Sequence, residues 1–259
     1  MSTVGFHTFG CKLNYSETSS ISRIFQENSY RKTSIYKNPE KIIINTCSVT
    51  ENANKKCKDL IKKIKKYSPE SKITVIGCYA QLKPNEILKI NGVDKVLGNK
   101  EKFDFKNYIN SSRKKIHSNI KESIDFNSTF SINDRTRSFL KVQDGCNYGC
   151  SFCTIPLARG RSRSNTIKNI LKNIKEISEK DINEIVLTGI NIGDFGIQNG
   201  RRKEKLINLL EEIENLKIKN RFRISSIEPN LLSNEIIEFI LNSKKFLPHF
   251  HIPLQSGNN

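Results

Sequence analysis

The sequence predicts an α/β protein in two parts, an N-terminal doubly wound parallel sheet followed by an incomplete β/α barrel. Two observations carry the prediction. Apolar runs of strand length alternate with stretches of helical spacing along nearly the whole chain. That rhythm breaks once, over residues 111–137, where Ser, Asn, Lys and Asp show no sustained period and read as a linker between domains 1–110 and 138–259. A length of 259 residues suits one to two domains. It is also enough to bury roughly 70–75% of the unfolded surface without disulfides or metal.

The elements follow in order. Residues 4–9 form a short apolar strand, and residues 16–27 a helix through Ile21, Ile24 and Phe25. Residues 41–46 make a second strand, residues 52–67 a helix with Leu60, Ile61 and Ile64 on one face, and residues 72–77 a third strand. Pro84 opens a short helix over 85–90, and residues 95–97 are a fourth strand. Beyond the linker, strands at 139–143, 184–188 and 222–227 alternate with helices at 167–177, 206–216 and 234–241. Ile167, Ile170, Leu171, Ile174 and Ile177 form an amphipathic stripe, and Ser233 is an N-cap for the last helix. Residues 250–254 read as a further strand. A βα domain that stops on a strand leaves a bare sheet edge and an open barrel, so the chain is expected to be truncated at its C-terminus.

Composition narrows the function. Lys and Arg number 44 against 26 Asp and Glu, a formal net charge of +18. Such an excess suggests a polyanion partner, most plausibly nucleic acid; the alternative is codon drift in an AT-rich genome, which adds Lys, Ile and Asn without a binding role. No period of a fibrous or coiled-coil class is present, and the apolar runs are far too short to span a membrane. The start, MSTVGFHTFGCK, is not a secretory signal. The expected location is the cytoplasm, with no membrane partner.

In a reducing compartment the seven cysteines stay free, bind metal or do chemistry. Cys146, Cys150 and Cys153 form Cys-x3-Cys-x2-Cys directly after a predicted strand. Three thiolates on one tight loop can hold three irons of a 4Fe–4S cubane and leave the fourth open to a ligand that is also a substrate. Zinc is the alternative, although it usually wants four ligands and no fourth Cys or His lies close by. Cys11, Cys47 and Cys78 have no local spacing in common. Each lies just past a predicted strand, in VGFHTFGC, KIIINTC and KITVIGC, and the C-terminal strand ends of a parallel sheet share one edge where ligands bind. They are read as a second three-thiolate site, against the alternative of three unrelated buried thiols. Cys57 sits inside a lysine-rich helix and is read as incidental. That helix is either an RNA-backbone contact or a solvated face.

Arg159, Arg161 and Arg163 follow the last loop cysteine and could pair with phosphate or a cofactor carboxylate. Segments LTGIN, RISSIEP and HIPLQSG put Gly189, Ser225, Ser226 and Gln255 at the same barrel mouth as the cysteine loop. A glycine there permits close approach of a ligand, and the hydroxyls and amide can orient it; ordinary turn chemistry is the alternative.

With these residues in place, the sequence resembles the radical-SAM methylthiotransferases along nearly its whole length, through TFGCKLN, INTCSVT, IGCYAQ, VQDGCNYGCSFC, LTGINIGDFG, RISSIEP and HIPLQSG. It is most similar to the MtaB type, which modifies N6-threonylcarbamoyladenosine in tRNA, on GCKLN, ARGRSRS and TGINIGDFG. The resemblance implies that the barrel is a partial radical-SAM barrel and that there are two 4Fe–4S clusters. Cys146, Cys150 and Cys153 would hold the one that binds S-adenosylmethionine, with Phe152 beside the adenine and Gly189, Ser226 and Gln255 at SAM-binding strand ends. Cys11, Cys47 and Cys78 would hold an auxiliary cluster that carries or supplies sulfur. The implied reaction cleaves SAM to a radical that takes hydrogen from carbon 2 of the adenine. Sulfur and then a methyl group are installed there, with tRNA as substrate and flavodoxin or ferredoxin as electron donor. Family members continue past QSG with the rest of a six-stranded partial barrel and a small RNA-binding TRAM domain, which this sequence lacks. Other branches (isopentenyladenosine tRNA or ribosomal protein) and a zinc-stabilised, non-catalytic RNA-binding module are the competing readings.

Overall fold

In the computed structural model, which describes residues 1–47, 51–109, 112–132, 136–254 and 256–257 (with the side chains of 51–53 outside the description), the chain divides into two compact units. One comprises Met1–Ser123 and Tyr148–Gly160, the other Ile124–Asn147 and Arg161–Asn259.

The first unit is built from β1 (Thr3–Thr8), α1 (Lys12–Glu27), β2 (Arg31–Thr33), β3 (Lys41–Thr46), α2 (Glu51–Tyr67), β4 (Lys72–Gly77), α3 (Cys78–Leu82), α4 (Pro84–Leu88), β5 (Val93–Leu97), α5 (Lys106–Ile109) and β6 (Lys115–Ile116). Its sheet has the order β2-β1-β3-β4-β5-β6, and every pairing is parallel. The run Ile42-Ile43-Ile44 explains why both faces are covered. Ile43 packs with Val4, Ile76 and Leu97 against Ile21 and Phe25 of α1. Ile42 and Ile44 pack with Ile73, Val75 and Val96 against Cys57, Ile61 and Ile64 of α2. Side chains alternate across a strand, so a continuous apolar run is stable only between two layers of helix. On one face Phe25 is ringed edge-to-face by Phe6, Tyr30, Phe105 and Tyr108.

Several elements of this unit depart from sequence expectation. β2 has the polar sequence RKT and no strand pattern; it pairs with β1 at the sheet edge, where one ladder suffices. β6 lies inside the stretch read as a linker and adds to β5 through Val96↔Lys115 and Leu97↔Ile116. Helix α1 also starts four residues earlier than its apolar spacing indicates, directly after Cys11.

The second unit contains β7 (Arg137–Lys141), β8 (Gln143–Asp144), β9 (Arg163–Ser164), α7 (Ile167–Ser178), β10 (Glu184–Thr188), β11 (Ile197–Gln198), β12 (Arg201–Arg202), α8 (Leu206–Glu214), β13 (Arg221–Ile224) and α9 (Asn234–Asn242); one short helix, α6 (Ile155–Arg159), belongs to the first unit. Its sheet is parallel in the order β13-β10-β7. Leu140, Ile185, Leu187 and Ile224 meet the α7 stripe of Ile170, Ile174 and Ile177, with Leu209, Leu210 and Ile213 of α8 completing the core. Thr166 caps α7 by accepting from Asn169 N–H, and Ser233 caps α9 by accepting from Ile236 N–H. The segment 250–254 forms no ladder among the described residues. It makes one parallel bridge, Ser226↔His251, with Ile227 N–H donating to the His251 carbonyl at 3.1 Å. Pro253 cannot donate to a ladder, which limits the pairing. Among the described residues no helix is long and apolar enough to cross a membrane.

Ile44→Ala is expected to cost about 2–5 kcal/mol, read as a lower urea midpoint for the first unit. Leu241→Ala, at a side chain of the second unit that is 66% exposed, should change stability by less than about 0.5 kcal/mol in the same urea titration.

Candidate functional site

Register brings the first cysteine set to one edge. β1, β3 and β4 are adjacent, with Thr8 opposite Asn45 and Thr46 opposite Gly77, so Cys11, Cys47 and Cys78 follow neighbouring C-terminal strand ends. The turns pack too closely for side chains. Gly10 has φ +97°, and a Cβ there would lie 2.6 Å from Cβ and 3.0 Å from Sγ of Cys47. Gly77 has φ +97° as well, and a Cβ would overlap Asn45 Oδ1 and the Thr46 carbonyl. Buried carboxamides tie the turns together. Asn14 Nδ2 donates to the carbonyls of Phe9 (2.8 Å) and Thr46 (3.1 Å), and Asn45 Nδ2 donates to the Asn14 carbonyl at 3.1 Å. Thr46 Oγ1 donates to the Ile76 carbonyl at 2.6 Å.

Cys11 is exposed, Cys47 half-buried and Cys78 buried. Burial pushes the Cys78 thiol up, opposed chiefly by the Arg159 guanidinium. Among the described residues no three Cys, His, Asp or Glu side chains are gathered as a single ion would require. A cubane, with its ligands on separate irons, spaces its thiolates more widely than a lone zinc. Cys57 lies in the core between α2 and the sheet, its thiol pushed up to about 12 by burial. Its place is structural.

The arginines do not sit as the sequence suggested. Arg159 is buried, donating from Nη1 to Glu17 Oε1 at 3.0 Å and from Nη2 to Asn14 Oδ1 at 2.7 Å. Lys102, also buried, donates to Glu17 Oε2 and Asn99 Oδ1, both at 2.7 Å. Arg163 is buried too; it donates from Nε to the Asp125 carbonyl at 2.9 Å and pairs with Asp144 Oδ2 at 3.3 Å. Of the three, only Arg161 is exposed to a solvent-borne phosphate or carboxylate. Charge alone could not separate them, because the partners Glu17 and Asp144 are 142 and 19 residues away.

The second cysteine set lies on the loop after β8. Cys146 and Cys153 are half-buried and Cys150 is exposed, with Cys153 N–H donating to the Cys150 carbonyl at 3.1 Å. Phe152 is 81% exposed. The base of the loop hangs on Gln143, a fully buried residue that the sequence reading passed over. Its Nε2 donates to the Gly145 carbonyl (2.7 Å) and Ser162 Oγ (3.0 Å); its Oε1 accepts from the backbone N–H of Ile190 (2.9 Å) and Asn191 (3.0 Å). One carboxamide thus joins the residue before Cys146 to the end of β10. Gly189 makes room for this side chain, since a Cβ there would lie 2.8 Å from Gln143 Oε1. Its first role is close packing against protein. The Ser225 hydroxyl accepts from Gly189 N–H at 3.4 Å, and the Ser226 hydroxyl bonds His251 Nδ1 at 2.7 Å. Gln255 lies outside the described residues. The buried Asn191 carboxamide has no hydrogen-bond partner among the described residues on either atom. Leaving such a group unsatisfied costs about 1–3 kcal/mol, so this strand end suits a polar ligand.

Residues 3–98 match the model of Uncharacterized protein family UPF0004, and residues 140–259 that of the Radical SAM superfamily. The chain is 37% identical over 271 residues to the threonylcarbamoyladenosine tRNA methylthiotransferase MtaB of Bacillus subtilis, covering 100% of this chain and 59% of that protein. It is 33% identical over 264 residues to MtaB of Aquifex aeolicus, covering 99% and 63%. Over its whole length the chain is similar to radical-SAM methylthiotransferases. A tRNA-2-methylthio-N(6)-dimethylallyladenosine synthase of Clostridium botulinum is 32% identical over 263 residues, covering 97% and 58%. The chain spans about three fifths of the length of these curated relatives. A solved structure of the radical S-adenosylmethionine methyltransferase TsrM from Kitasatospora setae shares the fold, with a TM-score of 0.61 at 11% identity over 93% of this chain and 57% of that one.

Burial orders the thiols by reactivity. In iron-free protein, iodoacetamide at pH about 8 should label Cys11 and Cys150 first. Cys57 should resist labelling until denaturant is added, as read by peptide mass mapping. Early labelling of Cys57 would contradict its place in the core.

Proposed function

We propose that this chain carries the catalytic parts of a tRNA methylthiotransferase that adds a methylthio group to carbon 2 of N6-threonylcarbamoyladenosine next to the anticodon. The observation that carries the reading is the pairing of two three-cysteine sets, one at adjacent strand ends and one on a single loop, in a chain similar throughout to MtaB proteins. Residues 1–110 together with β6 would form the part bearing the auxiliary cluster, the rest of residues 111–137 a linker, and residues 138–259 the radical-SAM barrel. Cys146, Cys150 and Cys153 would hold a 4Fe–4S cluster whose open iron takes S-adenosylmethionine; Cys11, Cys47 and Cys78 would hold the second. When bound, these groups supply the electron transfer, sulfur and methyl chemistry.

The chain's own residues do the placing. Gln143 fixes the loop base against the end of β10, where Gly189, Asn191 and Ser226 would contact SAM with Gln255. Exposed Phe152 offers an apolar face to the adenine. Exposed Lys55, Lys56, Lys62, Lys63 and Lys66 on α2 give a positive surface suited to the tRNA backbone. An electron donor such as flavodoxin or ferredoxin and a cytoplasmic location complete the proposal. The similarity to dimethylallyladenosine synthases supports a second reading, in which isopentenyladenosine is the substrate.

Mass spectrometry of tRNA nucleosides from cells with and without the gene tests both. The expected result is loss of 2-methylthio-N6-threonylcarbamoyladenosine, with the unthiolated nucleoside accumulating. Loss of the dimethylallyl product instead would select the second reading, and no change in either would defeat both. Anaerobically reconstituted protein should hold about eight irons. Cys146→Ala should halve that number and abolish SAM cleavage, whereas Cys57→Ser should leave it unchanged; stoichiometric zinc in place of iron would refute the cluster assignment.

A further inference from the structure

We propose that Arg159, Lys102 and Glu17 form a buried electrostatic device that sets the reduction potential of the cluster held by Cys11, Cys47 and Cys78. The proposal rests on the assignment of those three cysteines as cluster ligands.

All three charged side chains are 1% exposed and lie within the first unit. Glu17 bridges the two cations, 3.0 Å from Arg159 Nη1 and 2.7 Å from Lys102 Nζ. A buried ion group of this kind carries a desolvation penalty that its internal attraction only partly repays, so it is weak evidence for stability. Its connections suggest another use. Arg159 donates to Asn14, whose amide in turn holds the carbonyls of Phe9 and Thr46, immediately before Gly10-Cys11 and Cys47. Lys102 donates to Asn99, whose backbone N–H donates to Gln81 of α3, the helix that begins at Cys78. Glu17 lies on α1, which begins directly after Cys11. Each cation is therefore two hydrogen bonds from a segment that bears or adjoins a cysteine, and Glu17 bridges both from the helix that follows Cys11, in a low-dielectric interior where charge acts strongly.

The sign follows from electrostatics. Reduction adds negative charge to a cluster, so a nearby cation favours the reduced form and raises the potential, and an anion lowers it. Arg159 also ends α6, the helix that follows Cys153. A single residue thus links the segment after the second cysteine set to the electrostatics of the first.

The test uses the whole chain with Cys146→Ala, Cys150→Ala and Cys153→Ala, so that only the second cluster forms. Anaerobic reconstitution is followed by a potentiometric titration read by EPR. Arg159→Gln and Lys102→Gln should each shift the midpoint to more negative potential, and Glu17→Gln to more positive potential. Arg159→Lys should stay near the parent. A purely structural role would move all the variants alike, through loss of iron. Shifts of one sign, or no shift in variants that load iron normally, would overturn the device and leave the cluster assignment standing. A parent that loads no iron would overturn the assignment, and the device with it. Where Arg159→Gln does not load, Lys102→Gln against Glu17→Gln gives the same opposed pair.

Discussion

Ile42, Ile43 and Ile44 are buried together, and in a strand that is possible only if helices cover both faces of the sheet. Much of the first unit follows from that constraint. Parallel strands with helical crossovers send their C-terminal ends to one edge, and on that edge the chain must turn from strand into the next segment three times within β1, β3 and β4. Cys11, Cys47 and Cys78 stand at those turns. Their shared edge is thus a consequence of strand direction and register, with no local cysteine spacing required.

Holding the turns together is the work of small residues and buried amides. Gly10 and Gly77 adopt backbone conformations that other residues resist, and each leaves room for the neighbouring turn. Asn14 and Asn45 in the first unit and Gln143 in the second are buried carboxamides whose hydrogen bonds go largely to backbone. A carboxamide can donate and accept at once without carrying charge, which suits it to clamp two loops where an ion would be expensive to bury.

The large positive charge divides into two populations. Lysines along α2 are mostly exposed and contribute a surface field. Arg159, Arg163 and Lys102 are instead interior cations matched to Glu17 and Asp144. Net charge alone predicts the first population and is silent on the second.

The strand and helix rhythm, the stripe of α7 and the Ser233 cap were all legible in the sequence, because each depends on local periodicity or a single neighbouring backbone group. The placement of Cys11, Cys47 and Cys78 just past adjacent strand ends was legible as well. Tertiary structure decided what depends on distant partners. It made a strand of the polar RKT segment through the β1 ladder, and drew residues 115–116 into the first sheet. It left residues 250–254 with one bridge, turned two of three arginines inward, and gave Gly189 to the packing of Gln143. The physical reason is common to all of them. A side chain's own pattern reports which face it prefers, whereas the ion or amide it meets there is chosen by chain segments tens of residues away.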